Sequence, residues 1–130
     1  AAAATATVAT ATATATAATA KFETLEVALA VIAALADGPL EAIRRRDKNV
    51  ADQLDRASVS VALNLAEGAR RSGRDRARFY AVAYGSAEES RAALRIAAAK
   101  RVVDGEGAAK VEAVMDRLGA MLWRLTHPRR

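Results

Sequence analysis

Large apolar side chains recur three and four residues apart in four separate stretches of this chain, and nowhere alternate in the manner of a sheet strand. That spacing lays them along one stripe of a 3.6-residue helix. The first stretch carries Phe22, Leu25, Leu29, Ile32 and Ala36 and is stopped by Asp37-Gly38-Pro39. Glycine accepts the conformation beyond a helix end, and proline cannot continue a helix. Leu40 to Lys48 reads as a polar, arginine-rich connection with room for a helical turn. A second helix is expected over about 49–67, with Val50, Leu54, Ala57, Val61 and Leu65 inward and Gly68 as its C′ residue. A third, from about Arg74 to Arg101, has a lean inward set: Phe79, Ala83, Ser86, Ala87, Ser90, Leu94 and Ala97. Asp104 is placed to cap a fourth, with Val111, Val114, Leu118, Met121 and Leu125 inward and His127-Pro128 as its stop. Short connections between long helices favour antiparallel neighbours, so the expected fold is all-α, an antiparallel up-and-down four-helix bundle over 21–130.

Residues 1–20 stand apart. They hold 12 alanines, 7 threonines and Val8, with no ionisable side chain. Alanine favours helix while threonine favours strand, and no amphipathic face results. The segment lacks the leucine-like core and basic flank of a signal peptide and the arginines of a presequence. It reads as a low-complexity, variably ordered tail.

Catalytic chemistry is scarce. The absence of cysteine excludes disulfides, thiolate metal sites and a thiol nucleophile. A di-iron bundle needs Glu-x-x-His pairs on two helices, and the single histidine, His127, lies past the last core turn with Arg124 three residues before it. The same lone histidine rules against a serine triad. Gly105-Glu106-Gly107 has no following Lys-Ser/Thr and reads as a plain turn. The expectation is therefore a non-enzyme with no catalytic residue, metal or cofactor. No apolar run outside the tail is long enough to span a membrane, and a cytoplasmic location is expected.

Two polar groupings remain. Asn64 and Glu67 on the second helix and Ser86 and Glu89 on the third are expected to form a hydrogen-bonded network that fixes helix register. The formal charge of +5 is concentrated in arginine clusters. Arg44, Arg45, Arg46 and Lys48 face only Asp47, while Arg70, Arg71, Arg74, Arg76 and Arg78 face only Asp75. These connections fall at opposite ends of an up-and-down bundle, so two patches are expected, with a third from Arg124, Arg129 and Arg130. Such density points to a polyanion held through backbone phosphates, because base-stacking aromatics are few. Tyr80, Tyr84 and Trp123 lie off the expected seams and read as a subunit interface.

The residues that carry these features also resemble a known family. Arg56-Ala57, Ser60-Val61, Asn64-Leu65-Ala66-Glu67-Gly68, Arg70-Arg71-Ser72, Arg78-Phe79-Tyr80, Ala83, Gly85-Ser86 and Glu89, with the opening Phe22-Glu23-x-Leu25-Glu26-Val27, resemble the 23S rRNA intervening-sequence proteins of bacteria. The resemblance spans about 22–130. It implies a four-helix bundle assembled as a homopentamer, similar in fold to the accessory variability protein of diversity-generating retroelements. That protein is a basic pentamer that binds nucleic acid and a reverse transcriptase. One departure is Ala62, where the family usually has proline, so the second helix should be straighter here. The expected function is a basic homo-oligomer that binds RNA or DNA through phosphates as a ribonucleoprotein accessory. The alternative is a ring scaffold that docks another polypeptide.

Overall fold

The computed structural model describes residues 2–129, and the side chains of residues 19–129. Among these the chain is entirely helical: α1 (Ala2–Ala36), α2 (Pro39–Arg46), α3 (Lys48–Ala69), α4 (Gly73–Ala99) and α5 (Gly105–Thr126). Helix α4 packs on α3 and α5, and α1 packs on the same two helices, so the four long helices enclose one core. The side-chain pairings give direction. Gly68 meets Tyr80 while Ser60 meets Ser86, so α3 and α4 run antiparallel. Arg91 reaches Asp116 while Arg95 reaches Glu112, so α4 and α5 do too.

Several sequence expectations change. The 40–48 connection is a helix, α2, begun by Pro39 at its first turn, where a missing N–H costs nothing. Its Ile43 is fully buried and closes one end of the core. The Ala/Thr segment is helical from Ala2 and continuous with the 21–36 stretch in α1. Once 21–36 is helical each added residue needs only propagation, which alanine favours despite the threonines. The side chains of residues 1–18 lie outside those described.

The buried stripe of α1 also differs from the expected one. Thr24, Ala28, Val31 and Leu35 are buried with Val27, whereas Phe22 is 65% and Leu29 45% exposed. The buried series is the expected one displaced by a single residue, a rotation of about 100°. Both faces of α1 are apolar, so periodicity alone could not choose between them. The hydroxyl of buried Thr24 is satisfied by donating to the Ala20 carbonyl at 2.7 Å.

Helix ends follow local chemistry with two exceptions. Gly38 has φ 122, beyond the reach of most side chains, as the Asp-Gly-Pro stop implied. Asp47 caps α3 by accepting from the Val50 amide at 3.1 Å. Asp104, in contrast, makes no side-chain cap to α5. Gly68 lies inside α3 rather than beyond it. A Cβ there would meet the Tyr80 ring at 2.7 Å, so glycine is needed for close helix approach, not for a turn.

Candidate nucleic-acid interface

The arginine clusters do sit at opposite ends of the helix assembly, but they are not equivalent. At the end formed by α2, the start of α3 and the α4–α5 connection, most cations are committed. Arg44 lies 2.5 Å from Asp52 and 3.9 Å from Asp55, and that pairing raises its pKa above the ordinary arginine value. Arg45 approaches Glu41 at 3.8 Å, and Arg46 donates to the Arg101 carbonyl at 3.4 Å. Lys100 pairs with Asp47, whose carboxyl is held below its usual range chiefly by that bond and then by the Val50 amide. Lys48 is exposed and has no acidic partner among the described residues.

The opposite end is different. Arg70 and Arg71 share Glu67, at 3.9 and 2.6 Å, and Arg71 and Arg78 share Asp75, at 3.5 and 3.4 Å. Glu67 raises the Arg71 pKa above its ordinary value. Three arginines thus divide two carboxylates, while Arg74 and Arg76 have no acidic partner among the described residues. The Phe79 ring lies between two guanidiniums, 5.6 Å from that of Arg71 and 4.8 Å from that of Arg78. Each gains a modest cation–π attraction and a defined position.

The start of the 21–36 stretch and the end of α5 converge on this same end. Lys21, Arg76 and Arg124 line one cavity, so the terminal cluster is not a separate third patch. Arg129 follows directly, and Arg130 lies outside the described residues. Among the described residues, Lys21, the five arginines of 70–78, Arg124 and Arg129 therefore face three carboxylates, Glu23, Glu67 and Asp75. This imbalance makes the Arg70–Arg78 end the stronger candidate for a polyanion.

The other expected groupings are rearranged. Asn64 donates to the Ser60 carbonyl at 2.8 Å and to Ser60 Oγ at 3.1 Å, and Ser60 Oγ lies 2.8 Å from Ser86 Oγ. A short polar link between α3 and α4 therefore exists, with Ser60 at its centre. Glu67 is outside it, held by the arginines, and Glu89 is exposed with no polar partner among the described residues. Charged carboxylates gain more from guanidinium and water than from a half-buried serine pair.

The aromatic surface is corrected too. Tyr80 is 3% exposed and belongs to the core beneath Gly68, and Tyr84 is half-buried against that core. Tyr80 therefore presents no free ring. Trp123 is 50% exposed, as its off-seam position implied, and stacks on His127 with centroids 4.2 Å apart. Among the described residues no group of histidine or carboxylate side chains could hold a metal, and no helix is long and apolar enough to cross a membrane.

A family model described as the 23S rRNA-intervening sequence protein matches residues 21–124. The chain belongs to that family. The match starts where the Ala/Thr segment ends, so the family portion is the part built around the core. The fold is similar to that of a solved protein of unknown function from the S23 ribosomal protein family of Bacteroides thetaiotaomicron. The two share a TM-score of 0.66 at 16% identity, over 82% of this chain and 97% of that one. No curated protein matches.

Proposed function

We propose that this family member is a non-enzymatic, cytoplasmic homo-oligomer, built on an up-and-down four-helix bundle, that binds RNA or DNA through backbone phosphates. The observation that carries the reading is the uncompensated arginine cluster at the Arg70–Arg78 end, joined by Lys21 and Arg124. Arginine forks suit phosphate oxygens, and release of counterions makes such binding salt-sensitive. With Tyr80 in the core and Trp123 occupied by His127, few rings are left for base stacking. Little sequence preference is therefore expected.

The oligomeric part rests on exposed apolar side chains. Phe22 and Leu29 on α1, Leu63 on α3, and Val82 and Ile96 on α4 are each at least 45% exposed. Apolar surface of this kind marks an interaction face, and a ring of five subunits is the assembly the family resemblance implies. The same exposure favours a second reading, in which the assembly docks a polypeptide such as a reverse transcriptase.

Native mass measured with the 260/280 absorbance ratio reads subunit number and nucleic-acid content together. Fluorescence anisotropy with a structured RNA then reads affinity across a salt series. The expected outcome is an oligomer whose RNA affinity falls steeply from low to moderate salt. Undetectable or salt-independent binding sinks the nucleic-acid reading. Co-purified protein without nuclease-sensitive material favours the scaffold.

A further inference from the structure

A cavity of about 550 Å³ opens among the 20–24 turn of α1, the first turns of α4 and the last turns of α5. That volume is typical of a small-ligand site. Its lining divides by chemistry. Ala77, Met121 and Leu125 supply an aliphatic wall, while Lys21, Arg76 and Arg124 supply positive charge against one carboxylate, Glu23.

Two donors in this wall are orphaned. Tyr80 is 97% buried, and its hydroxyl has no hydrogen-bond partner among the described residues; Arg76 Nε is likewise buried and unpartnered among them. Buried polar atoms are nearly always paired, and these two donors belong to residues that line the cavity. Gly73, the first residue of α4, lines the same cavity. Ser72 makes no side-chain cap there, so the first amides of a long helix add a positive potential. Burial raises the pKa of the Tyr80 phenol, which keeps it a donor throughout the neutral range.

We propose that this cavity binds a small amphiphilic anion. A carboxylate or phosphate-monoester head sits among Lys21, Arg76 and Arg124 and accepts from the Tyr80 hydroxyl. A short aliphatic body lies along Met121 and Leu125. A nucleic-acid backbone fits this wall less well, because its polar sugar-phosphate chain has no aliphatic body to lay along Met121 and Leu125. The site therefore goes beyond the phosphate-backbone reading and does not depend on it.

Isothermal titration of the full chain with decanoate, decyl phosphate and decanol, each below its aggregation threshold, tests this. At least one anion should bind roughly tenfold or more tightly than decanol, since a charge-assisted bond exceeds a neutral one. The stronger of the two identifies the head group. Tyr80→Phe should weaken that anion by roughly fivefold, the scale of one hydrogen bond. Arg124→Met, on an exposed side chain, should weaken it at least as much, and keeps the test open if Tyr80→Phe does not fold. Lys110→Ala, which lies outside the cavity and pairs with Glu106, should leave affinity unchanged. Equal binding of decanol, no measurable binding of either anion, or wild-type affinity in either folded lining variant would overturn the proposal.

Discussion

The two ends of this helix assembly carry basic clusters of four and five cations in sequence, three arginines and a lysine against five arginines, and differ in how far carboxylates offset them in space. At the Arg44–Lys48 end, carboxylates from α2 and α3 reach back to the guanidiniums, with Asp52 and Asp55 both on Arg44. At the Arg70–Arg78 end Glu67 and Asp75 are each already shared by two arginines. Lys21, Arg124 and Arg129 then add three cations against Glu23 among the described residues. A linear count of charge within each cluster misses both effects, because the deciding partners lie three to eleven residues away or on other helices. Surface pairing is weak in energy, but it removes donors from the pool open to a phosphate.

The sharpest way to break this contrast is a matched pair of triple variants. Arg70/Arg71/Arg74→Ala should lower RNA affinity by about tenfold or more. It should also flatten the log-affinity against log-salt slope by about 2, since each phosphate no longer neutralised removes roughly 0.7. Arg45/Arg46/Lys48→Ala at the other end should change both much less, by the same anisotropy assay. Equal effects would erase the distinction between the ends.

Next in size is the packing beneath the basic end. Gly68→Ala pushes a methyl into the Tyr80 ring and should cost about 1–3 kcal/mol in chemical denaturation, as overpacking does. The cost should shrink when Tyr80 is also replaced by leucine, because the clash is then relieved.

At the paired end, Asp47→Asn should lower the melting temperature at pH 7. The folded pKa of Asp47 lies below its ordinary value, so its contribution is full above the ordinary aspartate range. It is lost as the pH falls through the folded pKa, where the wild type and the variant should converge. Thermal melts between pH 7 and 2 read this directly.

The smallest effect is at Arg101, a non-glycine residue at φ 58. It closes α4 in a Schellman arrangement, with the Val102 amide donating to the Ala97 carbonyl at 3.0 Å and the Arg101 amide to that of Ala98 at 3.1 Å. Arg101→Gly should stabilise the fold by about 1 kcal/mol, the left-handed penalty removed, with Tm as the readout.

The all-α class and four of the five helices are legible in the spacing of apolar residues, because a helix that must bury one face repeats it every 3.6 residues. The stops are legible as well, since Gly38-Pro39 acts through local backbone sterics. Helix α2 is not, because eight residues dominated by arginine form no long periodic run, and only Ile43 reveals its buried side. The stripe of α1 and the fate of Tyr80 are not legible either. On α1 two apolar faces compete, and on α4 a tyrosine looks superficial until Gly68 makes room for its ring.

From the chain alone come helical class, turn positions, the lack of cysteine, the single histidine, and the existence of two arginine clusters. These depend on residue type and near-neighbour spacing. Only the tertiary structure decided which cluster is left uncompensated, because that depends on carboxylates and termini brought together across helices. It also decided that Tyr80 and Arg76, which line a cavity, hold buried donors unpaired among the described residues, since burial is a property of the packed whole.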